Sequence, residues 1–239
     1  MDMNCIPESK PRKKIGILAK YPFYVEDIRA ALIDLDVELY HGEDLGQIEE
    51  YARNGKGFDF VFFPHYSKII PREFLDKYFC VGFHTGDLPK DRGGSPIQNK
   101  ILRGEYSTRV SALRLIEEMD AGDILCQEPI SLQEGSIEEI LRNISVTISG
   151  MARKILTQRI KPISQKGESA YFSRLKRQDS ELEFDNLDLR QIYDRIRMLD
   201  GFDYPSAYFL LGGYRMHLRN AKLVNNGLVF SVHLEEKND

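Results

Sequence analysis

Apolar positions along the first 130 residues fall in short blocks separated by amphipathic stretches. Residues 14–19 (KIGILA), 58–64 (FDFVFFP) and 80–84 (CVGFH) are near-continuous apolar runs, as expected of strands covered on both faces. A short strand is predicted at 37–40. Residues 25–35 and 44–54 carry helical periodicity, and Pro71 suits the first position of a helix running to 78. A further helix leads to Leu102, and 110–116 and 123–130 read as two more strands. Ile137, Ile140, Leu141, Ile144, Ile148, Met151 and Ile155 then recur at spacings of three and four, one apolar face of a long core-packing helix. Residues 161–168 turn to Pro, Ser, Gln, Lys and Gly, a predicted linker. Beyond it lie one helix pattern (187–198) and short strands around 208–211, 215–218 and 228–232.

Strands alternating with helices predict an α/β fold with a largely parallel sheet. In such sheets ligands sit at the carboxyl ends of the strands. That rule singles out His84, which closes the 80–84 run, and Met119 and Asp120, which follow 110–116.

Composition narrows the function. The chain of 239 residues is long enough to bury a core without disulfides or metals. Its net charge of −4 argues against the basic face that a nucleic-acid binder needs. No apolar run approaches the roughly 20 residues of a membrane span, and the polar, then basic, N-terminus does not read as a signal peptide. Cys5, Cys80 and Cys126 are scattered, which suits a reducing cytoplasm. The histidines lack ligand spacing, so no metal site is expected. The usual dinucleotide, phosphate-loop, zinc-protease and nucleophile-elbow motifs are absent.

His84 on its own reads more often as a structural residue than a catalytic one, and Asp120, beside Ala121 and Gly122, as turn chemistry. Together at strand ends of one sheet they form a minimal set for acid–base chemistry, since a carboxylate fixes an imidazole's tautomer and stabilises its charged form.

The stretch 84–98, HTGDLPKDRGGSPIQ, resembles the active-site loop of the formyltetrahydrofolate-dependent formyltransferases, whose pattern is Asn-x-His-x-x-x-x-Pro-x-x-Arg-Gly-x-x-Pro. Residues 119–124, MDAGDI, resemble their second motif, Asp-x-Gly-Asp-Ile. Residues 66–71, YSKIIP, resemble their folate-contacting segment. The likeness runs from about residue 14 to 130. Residues 174–185 and 200–208 are similar to the C-terminal region of nucleotide-sugar N-formyltransferases.

The resemblance implies a Rossmann-like catalytic domain over 1–160 with a mostly parallel sheet, and a small C-terminal α+β subdomain over 169–239. It implies His84 and Asp120 as catalytic residues and 10-formyltetrahydrofolate as formyl donor. Lys68, Ile69 and Ile70 would line the folate pocket, faced by Ile116, Glu117 and Met119. The implied acceptor is the amine of a nucleotide-linked amino sugar, with no nucleic acid or membrane as partner. Arg92 would meet a phosphate or brace its Gly-rich loop. Tyr204 would pack against the nucleotide or within the core. The run 208–211 offers a homodimer strand or an internal one. Alternatives are another amine acceptor, such as methionyl-tRNA or a small metabolite, and a non-catalytic folate-binding protein.

One departure stands out. The family's Asn, two residues before the His, is Gly82 here. Losing one oxyanion donor typically costs about 10² to 10³ in rate. The Thr85 hydroxyl or a loop backbone N–H would have to replace it, unless the protein is slow or inactive.

Overall fold

The computed structural model describes residues 12–236. The N-terminal segment, including Cys5, lies outside the described residues. The chain opens with β1 (Lys13–Leu18), α1 (Pro22–Ala31), β2 (Val37–Gly42) and α2 (Leu45–Tyr51), which runs on into a π-helical turn, Ala52–Lys56. Then come β3 (Phe60–Pro64), α3 (Arg72–Lys77), β4 (Cys80–Thr85), β5 (Arg92–Gly93), α4 (Pro96–Leu102), β6 (Ser107–Arg114), β7 (Ile124–Ser131) and α5 (Ile137–Thr157). The remainder holds β8 (Tyr171–Phe172), a 3₁₀ turn at Arg177–Ser180, α6 (Leu189–Arg197), β9 (Tyr208–Leu211), β10 (Tyr214–Val224) and β11 (Gly227–Glu236).

Six strands form the main sheet in the order β2-β1-β3-β4-β6-β7. The first four are parallel; the centres of β1, β3 and β4 are buried, as their continuous apolar runs require, while β2 at the edge is half-buried. β6 runs antiparallel to β4, with Val81 opposite Arg114 and Thr85 opposite Val110. This corrects the expectation that His84 and Asp120 both follow carboxyl strand ends at the same edge. The end of β6 lies at the opposite edge from the end of β4.

α5 covers one face of the sheet. A capping box between Ser136 and Glu139 starts it, and all seven residues of its expected apolar stripe are buried. Its polar side ties down α1: Ser145 donates to Asp27, and Arg153 donates to Asp34 and to the Ala31 carbonyl. Each fully buried Ile on the stripe contributes about 1.5–3 kcal/mol relative to exposure.

The C-terminal extension is antiparallel, β11-β10-β9, with α6 packed on β10. It is pinned to the core by Arg197, which is fully buried. Its guanidinium bonds to Asp194 and to the carbonyls of Leu132 and Gly135, between β7 and α5. Residues 161–168, expected as a linker, lie along the core: Ile163 pairs with Ile124 at the start of β7. Among the described residues no helix is long and apolar enough to cross a membrane.

Candidate active site

β4 alternates its side chains across the sheet, so Gly82 and His84 share one face and Thr85 points to the other. The Thr85 hydroxyl is therefore on the wrong face to stand in for a missing donor beside His84. Leu115 fills the space over Gly82: a Cβ there would lie 2.5 Å from Leu115 Cδ2 and 3.1 Å from its Cγ. Past the end of β6, then, the chain folds back along this face of β4. It passes Gly82 with Leu115 and reaches His84 with Asp120.

His84 Nδ1 is 3.5 Å from Asp120 Oδ1, and their side chains are 9% and 16% exposed. His84 Nε2 bonds to the backbone carbonyl of Asp91 at 2.5 Å. A carbonyl only accepts, so Nε2 carries the proton and Nδ1 is the nitrogen left for proton exchange. With Nδ1 bare, it and the carboxylate are both acceptors, and 3.5 Å leaves them room to share a proton once Nδ1 takes one up.

Asp120 is held on every side. It adopts a left-handed φ of 54°. Its Oδ2 accepts the Gly93 N–H at 3.0 Å. Gln165 donates from Nε2 to the carbonyls of Asp120 and Gly122, at 2.7 and 2.8 Å. A side chain at Gly122 would sit 1.7 Å from the Arg114 carbonyl oxygen, so only glycine fits beneath the turn. Sequence reading missed Gln165 because a Gln in a Ser- and Lys-rich stretch carries no periodic signal.

Arg92 is buried rather than free to meet a phosphate. Its guanidinium donates to Gln165 Oε1, to Glu118 Oε1 at 3.2 Å and to the Tyr171 hydroxyl at 3.2 Å. It cross-links the 84–98 loop, the Asp120 turn and β8. Tyr204 is half-buried against the core, near Tyr21 and Tyr24 at the start of α1. Burial pushes its hydroxyl pKa up, while a hydrogen bond with Gln98 opposes that.

The residues expected to hold folate lie on two segments, one following β3 and one following β6. Lys68 and Ile69 are exposed and Ile70 is partly buried. Ile116, Glu117 and Met119 are all exposed. Arg72, one residue past the first segment, reaches to 3.8 Å from Glu117 on the second. Ile69 is 89% exposed, Met119 63% and Ile116 45%, large apolar side chains left open on these two segments. Burial pushes the Cys80 thiol up to about 12 and the Cys126 thiol up to about 11, so neither is a thiolate nucleophile. Among the described residues no three His, Cys, Asp or Glu side chains are grouped to hold a metal.

Comparison with known proteins identifies the family. Residues 47–150 match the profile of the formyl transferase family, and 177–235 match that of the methionyl-tRNA formyltransferase C-terminal domain. The second match redirects the expected likeness of this region to nucleotide-sugar N-formyltransferases. The methionyl-tRNA formyltransferase of Thermodesulfovibrio yellowstonii is 30% identical over 192 residues, 76% of this chain. The aligned part spans 60% of that relative's length. A 4-N formyltransferase from Francisella tularensis, at 19% identity and a TM-score of 0.66, shares the fold over 95% of this chain and 99% of its own. The solved structure of a methionyl-tRNA formyltransferase from Clostridium thermocellum is 33% identical, with a TM-score of 0.87. It is matched over 94% of this chain and 100% of its own, and on that likeness the chain belongs to the formyltransferase family.

Proposed function

We propose that this protein moves a formyl group from 10-formyltetrahydrofolate to a primary amine, and that the amine is the α-amino group of methionyl-tRNA. The observation that carries the reaction is the buried His84–Asp120 pair, with Ile69, Ile116 and Met119 exposed on two segments joined by the Arg72–Glu117 ion pair. A slot lined by Ile69, Ile116 and Met119 suits a flat heterocycle, and backbone groups of 68–70 suit its amide-like edge. The bound donor supplies a formyl carbon on a nitrogen that can leave.

His84 Nδ1 takes the proton of the attacking amine as the new carbon–nitrogen bond forms. Asp120 balances the imidazolium charge at that moment, and Gly93 keeps its other oxygen occupied. The same proton then passes from His84 to the departing nitrogen as the old carbon–nitrogen bond breaks. No side chain at Gly82 meets the charge that gathers on the formyl oxygen, so more of the rate must come from holding amine and formyl group together. Well-oriented reactants can gain about 7–11 kcal/mol in this way.

The acceptor rests on the C-terminal profile match and on the likeness to the Clostridium thermocellum enzyme. One observation favours a second reading. The matched C-terminal region carries slightly more acidic than basic side chains, a poor surface for gripping tRNA. A small acceptor such as a nucleotide-linked amino sugar fits that charge better.

A labelled formyl donor, offered with methionyl-tRNA and with a panel of nucleotide-linked amino sugars, separates the readings. The expected result is a kcat/KM for methionyl-tRNA at least 100-fold above any sugar. The reverse ranking moves the acceptor to the sugars. Folate binding with no transfer to any amine leaves only a binding protein.

A further inference from the structure

We propose that the buried ion pair between Asp91 and Lys100 is the positioning device of His84, holding the imidazole as its Nε2–H tautomer with Nδ1 presented to Asp120. Its catalytic consequence rests on the formyl-transfer reading above; the geometry does not.

Asp91 uses its two ends for two tasks. Its backbone carbonyl accepts the His84 Nε2–H. Its carboxylate is anchored behind the loop: Oδ2 takes the Lys100 ammonium at 3.0 Å and the Asp87 N–H at 2.9 Å. Lys100 also reaches Glu105 Oε2 at 2.9 Å. Asp91 and Lys100 are both buried. A buried charge is retained at a cost of several kcal/mol unless partners compensate it. Burial pulls the Lys100 ammonium's pKa down, but its hydrogen bonds to Glu105 and Asp91 outweigh that and raise it overall.

The close approach is built into the loop. A Cβ at Gly86 would stand 2.7 Å from the Asp91 carbonyl oxygen and 2.7 Å from His84 Nε2, so glycine keeps the two in contact. A cavity of about 370 Å³ borders the pair and is lined by Asp87, Lys90, Asp91, Lys100, Glu105 and Arg109, among others. Those six are three cations and three carboxylates. The balance leaves no net charge calling for an ionic ligand, and it points to an internal, supporting role.

The chain of cause runs outward from α4. Without the ammonium, the Asp91 carboxylate keeps only the Asp87 N–H, its buried charge is left uncompensated, its carbonyl swings, and His84 is free to populate the Nδ1–H tautomer. That tautomer has no lone pair on the nitrogen facing Asp120 and cannot take the amine's proton there.

Nitrogen-15 spectra of the histidine rings in the full chain read the tautomer directly. Lys100→Met keeps the aliphatic stem and removes the charge, and Lys100→Arg restores it. The expected wild-type spectrum shows a protonated Nε2 and a bare Nδ1 on neutral His84. Lys100→Met should give mixed tautomers and a kcat at least tenfold lower, with the donor KM within about twofold. Lys100→Arg should recover both. Asp91→Asn, which keeps the side-chain size, is read the same way where circular dichroism shows Lys100→Met to be unfolded. A folded variant with the wild-type tautomer and kcat overturns the proposal. If wild type transfers no formyl group, the acceptor reading fails and the tautomer spectra alone decide the positioning claim.

Discussion

Leu115 stands in front of Gly82, where the family pattern has the side chain of an Asn. The two are so close that a Cβ on Gly82 would fall 2.5 Å from Leu115 Cδ2 and 3.1 Å from Cγ. The collision involves more than a flexible tip, so Leu115 must turn away, and with it the stretch that carries Asp120. We therefore expect Gly82→Asn to lower kcat/KM about tenfold or more. Adding Leu115→Ala opens the space, and the double variant should exceed Gly82→Asn alone, because a well-placed amide donor contributes roughly 3 kcal/mol to transition-state binding. Steady-state kinetics on the three proteins check this. A Gly82→Asn enzyme faster than wild type would show that Leu115 moves freely.

The folate slot is tested at Ile69. Its side chain is 89% exposed, so a charge there leaves the fold intact. Ile69→Asp should weaken binding of a folate analogue at least tenfold by calorimetry, with an unchanged melting temperature. Equal affinity in the two proteins places the heterocycle elsewhere.

His65 makes acid stability readable. It follows β3 with a left-handed φ of 50°, enclosed by Tyr21 and Tyr24. Burial first, and the Lys20 charge second, bring its pKa from 6.5 down to about 4. The folded state thus holds His65 neutral while the unfolded chain protonates. Its contribution is fully present above pH 6.5 and is lost as pH falls towards 4, about 2 kcal/mol of it between pH 6.5 and 5. His65→Asn tolerates the same backbone. Across that window the wild-type melting temperature should fall more steeply than the variant's. Parallel curves would contradict the assignment.

The strands and helices up to β4, and the apolar stripe of α5, were legible because burial writes itself as continuous or three-and-four periodicity. The direction of β6 was not, since a strand's pattern is the same read either way. The Asp120 turn reaches His84 by folding back over the sheet face, a path that only packing around Gly82 and Gly122 reveals. Arg92 drew attention as a charge in a Gly-rich loop, yet its partners Glu118, Gln165 and Tyr171 come from three distant segments. Lys100 was invisible for the opposite reason: a lysine on a short helix reads as a solvated face, and nothing local announces that Asp91 and Glu105 enclose it.

The central claim is that His84, facing Asp120, carries the proton of a formyl transfer. Single-turnover transfer of labelled formyl from 10-formyltetrahydrofolate to methionyl-tRNA, in wild type and in His84→Ala, tests it most directly. Circular dichroism should show both proteins folded, since His84 is held by its contact with Asp120 and one loop carbonyl rather than by core packing. The account predicts a rate at least 10²-fold lower in His84→Ala, in line with the usual worth of a positioned acid–base group. A folded His84→Ala protein that transfers formyl at the wild-type rate would contradict it.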